Sequence, residues 1–226
     1  MILLLFSRGA DVKTAERRGK LVFSVWTTGS VEVARLLLER GATMPDEILL
    51  DAGASCENYP DLLRFLLGQG ANPDTKTSNG WTALICASMY CELKTTTSLL
   101  DHGARVDGND GEKGPRPLNM TCEYGDSDAV RPIKLLLNRG AAVNAVASDG
   151  DTPLLAALKK GGEDQGCEEK VWILLSRGAA VNARASKKKN ETALHRASRN
   201  SEVECIEMLL DQGADVDAEA SVGSSP

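Results

Sequence analysis

The amino-acid sequence predicts an all-α protein built from a row of similar, short helical units. The dipeptide Gly-Ala follows a leucine-rich stretch at seven positions, spaced 32, 29, 33, 37, 38 and 35 residues apart. The seven pairs begin at Gly9, Gly41, Gly70, Gly103, Gly140, Gly178 and Gly213. Most of them follow a Leu-Leu-x-x segment, and aromatic residues make up only 4% of the 226 residues. A period of roughly 33 residues is typical of arrays in which each unit needs its neighbours to bury its apolar face.

The repeat boundaries follow from the positions of the Gly-Ala pairs. We predict a single array over residues 1–226, with a partial unit at 1–12, six units and a partial tip at 217–226. The six units span 13–44, 45–73, 74–106, 107–143, 144–181 and 182–216. Repeat arrays usually end in units with a polar outer face, and neither end of this sequence offers one. We therefore expect a segment of a longer array.

Each unit is predicted to contain two helices and a turn. In the best-formed unit, Thr152 caps the first helix and Pro153 occupies its first turn, where no backbone N–H is needed. Leucines such as those at 135–137 form the apolar stripe of a second helix. The glycine of Gly-Ala then ends that helix in a left-handed conformation. Asn144 and Asn182 begin turns, the tips, that project from the stack.

The early units are less regular than the later ones. Residues 45–70 lack the Thr-Pro-Leu element, although Leu49, Leu50 and Ala52 are predicted to preserve a first helix. In the unit before it, Trp26 stands where a small residue is usual. We expect the unit at 45–70 to be the least stable part of the array, because stability in such stacks is approximately a sum over units and their interfaces.

The segments at the start of the first helices identify the family. They read Gly-Asp-Thr-Pro-Leu at 150–154, Gly-Trp-Thr-Ala-Leu at 80–84 and Glu-Thr-Ala-Leu-His at 191–195. Together with Leu-Leu-x-x-Gly-Ala, this pattern resembles the ankyrin repeat over nearly all of the chain. The resemblance implies an all-α ankyrin-repeat solenoid of stacked helix-turn-helix units with protruding tips, with about six units plus partial ends.

The resemblance also assigns roles to single residues. His195 occupies the family's histidine position, where the side chain hydrogen-bonds within the tip, so we interpret it as structural. Asparaginyl hydroxylases that act on ankyrin repeats favour a tip asparagine with a leucine eight residues before it, as Asn144 and Asn182 have. Holding the turn is the favoured role of both asparagines, and hydroxylation is the alternative.

Ankyrin arrays usually bind partners through the tips and the exposed side of the first helices, which form a concave face. The positions selected in this way are Asn79, Trp81, Met89, Tyr90, Tyr124, Lys159, Lys160, Lys188, Lys189 and Arg199. The aromatic members and Met89 are expected to gather on adjoining units as an interface hot spot, although they could instead shield the neighbouring first helix. A solvated tip is the favoured interpretation of the lysines, and binding of an acidic peptide or an anionic surface is the alternative.

Composition limits the possible functions. The formal net charge of −6 argues against general nucleic-acid binding. Six scattered cysteines without a Cys-x-x-Cys motif indicate reduced, packed thiols of an intracellular protein, and a disulfide or metal framework is the alternative. The expected compartment is the cytoplasm, with the nucleus as the alternative. The apolar start at Met1–Phe6 is too short to span a membrane. We find no catalytic, cofactor-binding or metal-ligating motif and expect a monomer without a cofactor.

The sequence therefore predicts a non-enzymatic scaffold that binds a protein or peptide through its concave face. The alternative is a substrate-recruitment or regulatory segment of a larger enzyme or effector, with the catalytic domain outside this chain.

Overall fold

The computed structural model describes residues 29–42, 49–50, 60–108, 114–160, 166–185 and 190–220. Across these ranges it contains ten α-helices of defined extent, a further helical pair at residues 49–50, one 3-10 helix and no strand, which confirms the all-α prediction. Two compact units are present: an N-terminal unit of Met1–Ala87 and Lys94–Ala104, and a C-terminal unit of Ser88–Leu93 and Arg105–Pro226. The predictions for Gly9-Ala10, Trp26, Ala52, Lys188 and Lys189 lie outside the described residues.

The N-terminal unit is organised around leucines on the inner sides of its helices. The helices that begin in it or border it are α1 (Val31–Glu39), α2 (Pro60–Gly68), α3 (Ala83–Met89) and α4 (Leu93–Asp101). The core includes Leu37, Leu66 and Leu99, which are at most 1% exposed. Leu49 and Leu50 are helical and buried, as predicted for the irregular unit. The apolar stripe read from the sequence is therefore the face that packs.

The C-terminal unit consists of two layers of helices. Its complete helices are α5 (Pro117–Tyr124), a 3-10 helix (Ser127–Ala129), α6 (Val130–Asn138), α7 (Pro153–Ala157), α8 (Cys167–Ser176), α9 (Ala193–Asn200) and α10 (Val203–Asp211). The first helices α5, α7 and α9 pack side by side, as do the second helices α6, α8 and α10. Each first helix also contacts the second helix that follows it. This is the predicted stack of helix-turn-helix units.

The second helices end in the same way. In α6, the amide of Ala141 donates to the carbonyl of Leu136 at 3.0 Å, and the amide of Gly140 donates to Leu137 at 3.1 Å. These two bonds form a Schellman motif, which requires the left-handed conformation that Gly140 adopts with φ +91°. The Leu136 side chain is fully buried. The same geometry recurs at the other described Gly-Ala pairs, so this dipeptide combines a helix stop with a core anchor.

The tips of successive repeats are linked by asparagine side chains. The Asn144 amide donates to the carbonyl of Gly178 at 3.0 Å and accepts from the amide of Ala180 at 2.8 Å. Asn182 does the same with Gly213 and Asp215, at 3.1 and 2.9 Å. Each asparagine therefore satisfies backbone groups next to the following Gly-Ala pair, where the next tip begins, which extends its predicted role in the turn to a link between successive tips.

Candidate partner-binding surface

The first helices of the C-terminal unit present their last residues in register. Positions are counted here from the residue that precedes the first turn of each helix. The residues eight positions later are Tyr90, Tyr124, Lys160 and Asn200, and the residues seven positions later are Met89, Glu123, Lys159 and Arg199. We call these eight residues the first-helix strip. They lie at or just beyond the ends of α3, α5, α7 and α9. Six of the eight belong to the set predicted from the sequence, namely Met89, Tyr90, Tyr124, Lys159, Lys160 and Arg199.

The short caps at the beginning of these helices maintain the register. The hydroxyl of Thr152 accepts a hydrogen bond from the amide of Leu155 at 3.4 Å, and Pro153 follows in the first turn. In α9, the Thr192 hydroxyl lies 2.8 Å from Nδ1 of His195. His195 thus has the predicted local, structural contact. Because the caps set where each helix begins, they also set which residues reach the strip.

Two tyrosines provide the apolar area of the strip. The side chains of Tyr90 and Tyr124 are 53% and 42% exposed, whereas Met89 is half-buried. The ammonium of Lys160 lies 4.7 Å from the centre of the Tyr124 ring, within the range of a cation–π interaction. The negative charge of Glu123 raises the pKa of Tyr124, and burial adds to this effect. Tyr124 is therefore a neutral aromatic surface held beside a positive charge.

Lys159 is surrounded by carboxylates rather than displayed as a free cation. Its ammonium lies 2.9 Å from Glu123 of the preceding first helix and 2.8 Å from Asp149 of its own tip. Burial alone would lower the pKa of Lys159, but the hydrogen bonds to Asp149 and Glu123 outweigh it and raise that pKa. The predicted contact residue thus joins two repeats internally, and Lys160 is the neighbouring lysine left on the surface.

A second ion-pair network continues toward the last unit. Arg196 binds Asp151 through two hydrogen bonds of 2.7 and 2.8 Å, and both side chains are buried. Glu191 lies 3.6 Å from Arg196 and 2.5 Å from Arg199. The predicted surface residue Arg199 is therefore paired, and the charges of the strip are preorganised by contacts within the chain.

Asn79 and Trp81 lie on a tip of the N-terminal unit. The amide of Trp81 donates to the Thr77 hydroxyl at 3.0 Å, and its carbonyl accepts from the amide of Thr77 at 2.9 Å. Asn79 is exposed, whereas Trp81 is half-buried because it forms part of this narrow turn. The expected gathering of Trp81 with the two tyrosines stays a prediction, since the tyrosines belong to the C-terminal unit.

Sequence reasoning missed Lys170, which is fully buried in α8. Its ammonium donates to the carbonyl of Gly125 at 2.8 Å and lies 3.3 Å from that of Cys122, both at the end of α5. The spacing of the repeats could have revealed this lysine. Lys170 lies eight residues before Gly178, the glycine of a Gly-Ala pair. The residues at the same distance before four other Gly-Ala pairs are also buried, and they are Leu62, Thr95, Pro132 and Cys205. A lysine in that series indicates a specific buried partner.

The backbone that Lys170 binds is tightly enclosed. A Cβ atom on Gly125 would lie 2.3 Å from the Cys91 sulfur and 2.5 Å from the Cβ of Ala129. Burial raises the pKa of the Cys91 thiol to about 11, although the charge of Lys170 opposes this. Cys91 is therefore protonated at neutral pH and packs as an apolar group. This cluster stabilises the end of α5, from which Tyr124 projects.

Among the described residues, no helix combines the length and the apolar character needed to cross a lipid bilayer.

The sequence is similar to a family model and to several known proteins. The family model for ankyrin repeats (3 copies) matches residues 50–133, 105–185 and 132–220. The chain is 27% identical over 173 residues to human transient receptor potential cation channel subfamily A member 1, covering 71% of this chain and 14% of that protein. It is 25% identical over 261 residues to the Neurospora crassa ankyrin repeat protein nuc-2, covering 91% and 22%. It is 29% identical over 119 residues to mouse protein phosphatase 1 regulatory subunit 27, covering 53% and 75%.

The chain thus spans only 14% and 22% of the first two relatives. Ankyrin repeats generally mediate protein–protein interaction and are generally non-catalytic. The family match extends over most of the chain and agrees with the two-layer helical stack and the repeated Schellman motifs. The chain belongs to the ankyrin-repeat family.

Proposed function

We propose that this array is a non-enzymatic scaffold that binds a protein or peptide partner through the first-helix strip. The observation that supports this most directly is the exposure of Tyr90 and Tyr124, 53% and 42%, at equivalent positions of successive repeats. Tyrosine offers large contact area at a small cost in side-chain entropy and is enriched at interface hot spots. Lys160 beside Tyr124 adds a charge that favours an acidic group on the partner.

The preorganised ion pairs support the same surface. Since Lys159, Glu123 and Asp149 already satisfy one another, a partner need not order these side chains when it binds. Less conformational entropy is then lost on association. We infer that the tyrosines supply the affinity and that the charged members of the strip supply the orientation. Asn79 and Trp81 of the N-terminal unit, and Lys188 and Lys189, are proposed as further partner contacts.

The test compares two aromatic variants of the full chain. Wild type, Tyr90→Ala/Tyr124→Ala and Trp172→Ala are immobilised, and the proteins retained from a cell extract are quantified by mass spectrometry. Trp172 is the matched control because it is 58% exposed and lies on a second helix. We expect a set of proteins to be lost with the tyrosine variant and kept by the control. Binding of an isolated partner should weaken by about 2 kcal/mol or more, roughly thirtyfold in Kd.

Circular dichroism must show that all three proteins are equally helical. If the tyrosine variant retains the same proteins as wild type while Trp172→Ala loses them, the partner docks on the second helices and the proposal fails.

We also infer that the array is a recruitment or regulatory segment of a larger protein, because two of its relatives extend far beyond the aligned segment. The coding sequence on both sides tests this directly. An open reading frame that ends at both termini of this chain contradicts it.

We further infer an intracellular, monomeric protein. The five described cysteines are free thiols, which is typical of reducing compartments. Tagged protein found in a secreted fraction would contradict the location, and light scattering would reveal a dimer.

A further inference from the structure

Two buried cysteines of successive repeats approach each other in the C-terminal unit. The sulfur atoms of Cys167 in α8 and Cys205 in α10 are 3.6 Å apart, and the residues are 2% and 0% exposed. The carboxylate of Glu202 joins them, so that three potential ligand atoms lie within 4.8 Å of one another. The sequence did not predict this group, because 38 residues separate the two cysteines.

We propose that Cys167, Cys205 and Glu202 form a binding site for a thiophilic divalent cation of the Zn²⁺ class. Thiolates that bind one tetrahedral Zn²⁺ at about 2.3 Å lie about 3.8 Å apart. The observed separation of 3.6 Å is close to that value and far longer than the roughly 2.05 Å of a disulfide bond. Two sulfur ligands and one carboxylate form a donor set that suits Zn²⁺ and Cd²⁺ and suits Mg²⁺ or Ca²⁺ poorly.

The three ligands differ in their burial. Glu202 is only partly buried, whereas the two sulfurs are enclosed. Three protein ligands leave the fourth position of a tetrahedral Zn²⁺ site to a water molecule. When the cation binds, each thiol transfers its proton to solvent and each thiolate forms one bond to the metal. No electron transfer is involved.

The ligands tie two repeats together. Cys167 is the first residue of α8, whereas Glu202 immediately precedes α10 and Cys205 lies in its first turn. A bound cation therefore links the second helices of the last two units. It stabilises the folded chain by mass action, since the site exists only when α8 and α10 are packed.

The experiment uses the full, reduced, metal-free chain and titrates it with Cd²⁺. We expect a thiolate-to-metal charge-transfer band that saturates at one equivalent and is lost in Cys167→Ser/Cys205→Ser. Cys86→Ser is the matched control because Cys86 is a half-buried thiol outside the cluster, and it should bind like wild type. Glu202→Gln should retain the band with an affinity about tenfold or more weaker. Zn²⁺ at a hundredfold excess over its Kd should raise the Tm of wild type by roughly 5–10 °C.

A measurement on wild type covers the case in which the double variant does not fold. Zn²⁺ should slow the labelling of Cys167 and Cys205 by a thiol reagent, read by peptide mass spectrometry, while Cys86 is labelled at an unchanged rate. Absence of a Cd²⁺ band in wild type, the same band in a folded double variant, or equal labelling with and without Zn²⁺ would each overturn the proposal. A Cys167–Cys205 disulfide in freshly lysed, thiol-blocked cells would do so as well.

Discussion

At the scale of single residues, Lys170 is the least expected feature of the chain. A fully buried ammonium is tolerated only where hydrogen-bond acceptors replace water, and here the carbonyls of Cys122 and Gly125 do so. Those carbonyls close the first helix of the preceding unit, and no further turn of α5 is available to bond them. One long side chain from α8 thus completes the hydrogen bonding of another repeat.

We expect Lys170→Ala to lower the free energy of unfolding by about 3 kcal/mol, because it creates a cavity and leaves buried carbonyls unpaired. Lys170→Met fills the space and should cost less than the alanine substitution. Lys134→Ala is the control. That lysine is exposed and pairs with Glu169 at 3.4 Å, so its removal should cost about 0.5 kcal/mol or less. Urea unfolding measures all three, and equal midpoints for Lys170→Ala and Lys134→Ala would refute the role assigned to Lys170.

At the scale of helices, the dipeptide Gly-Ala acts as a stop signal with a defined geometry. The glycines of the described pairs have φ between +79° and +91°, a region that costs other residues free energy because of their Cβ atom. Apart from its two chain neighbours, no residue places a heavy atom within 4 Å of a Cβ built on Gly140. Any penalty at that position therefore arises from the backbone rather than from packing.

Gly140→Ala should destabilise the protein by about 1 kcal/mol through this backbone strain. Gly68→Ala provides a matched comparison, because Gly68 lies within α2, its Cβ would also meet no atom within 4 Å, and its φ is not positive. There the substitution should stabilise by up to about 1 kcal/mol. Thermal or urea unfolding gives both values. If the two variants shift in the same direction, the left-handed helix stop does not explain the Gly-Ala repeat.

At the scale of the whole molecule, contacts between neighbouring repeats hold the C-terminal unit together. The Lys159–Glu123 pair and the Arg196–Asp151 pair each join a repeat to an adjacent one, and the Asn144 link joins successive tips. The sequence of a single repeat does not show which side chains of the neighbouring repeat its own side chains will contact. Stability should therefore vary along the chain with the quality of the units and their interfaces.

Hydrogen exchange should reveal this variation. We expect the amides of α2, which belongs to the predicted unit 45–73, to exchange faster than those of α6 and α8, because the sequence of its unit lacks the Thr-Pro-Leu cap. The comparison uses peptides from one protein under one condition, so no variant is needed. Protection of α2 equal to or greater than that of α6 would show that the irregular unit is not the weak one.

The sequence by itself determined the repeat, the helix starts and stops, and the apolar stripe, because these depend on spacing and local backbone preferences. Gly140, Thr152 and Leu136 have the predicted conformation, cap and burial. It also placed Tyr90, Tyr124 and Lys160 on the exposed ends of the first helices. Only the tertiary structure decided which side chains meet across repeats: Lys159 with Glu123, Lys170 with Gly125, and Cys167 with Cys205. Such pairs are 36 to 45 residues apart, and their distance in space depends on how one unit stacks on the next rather than on any local pattern.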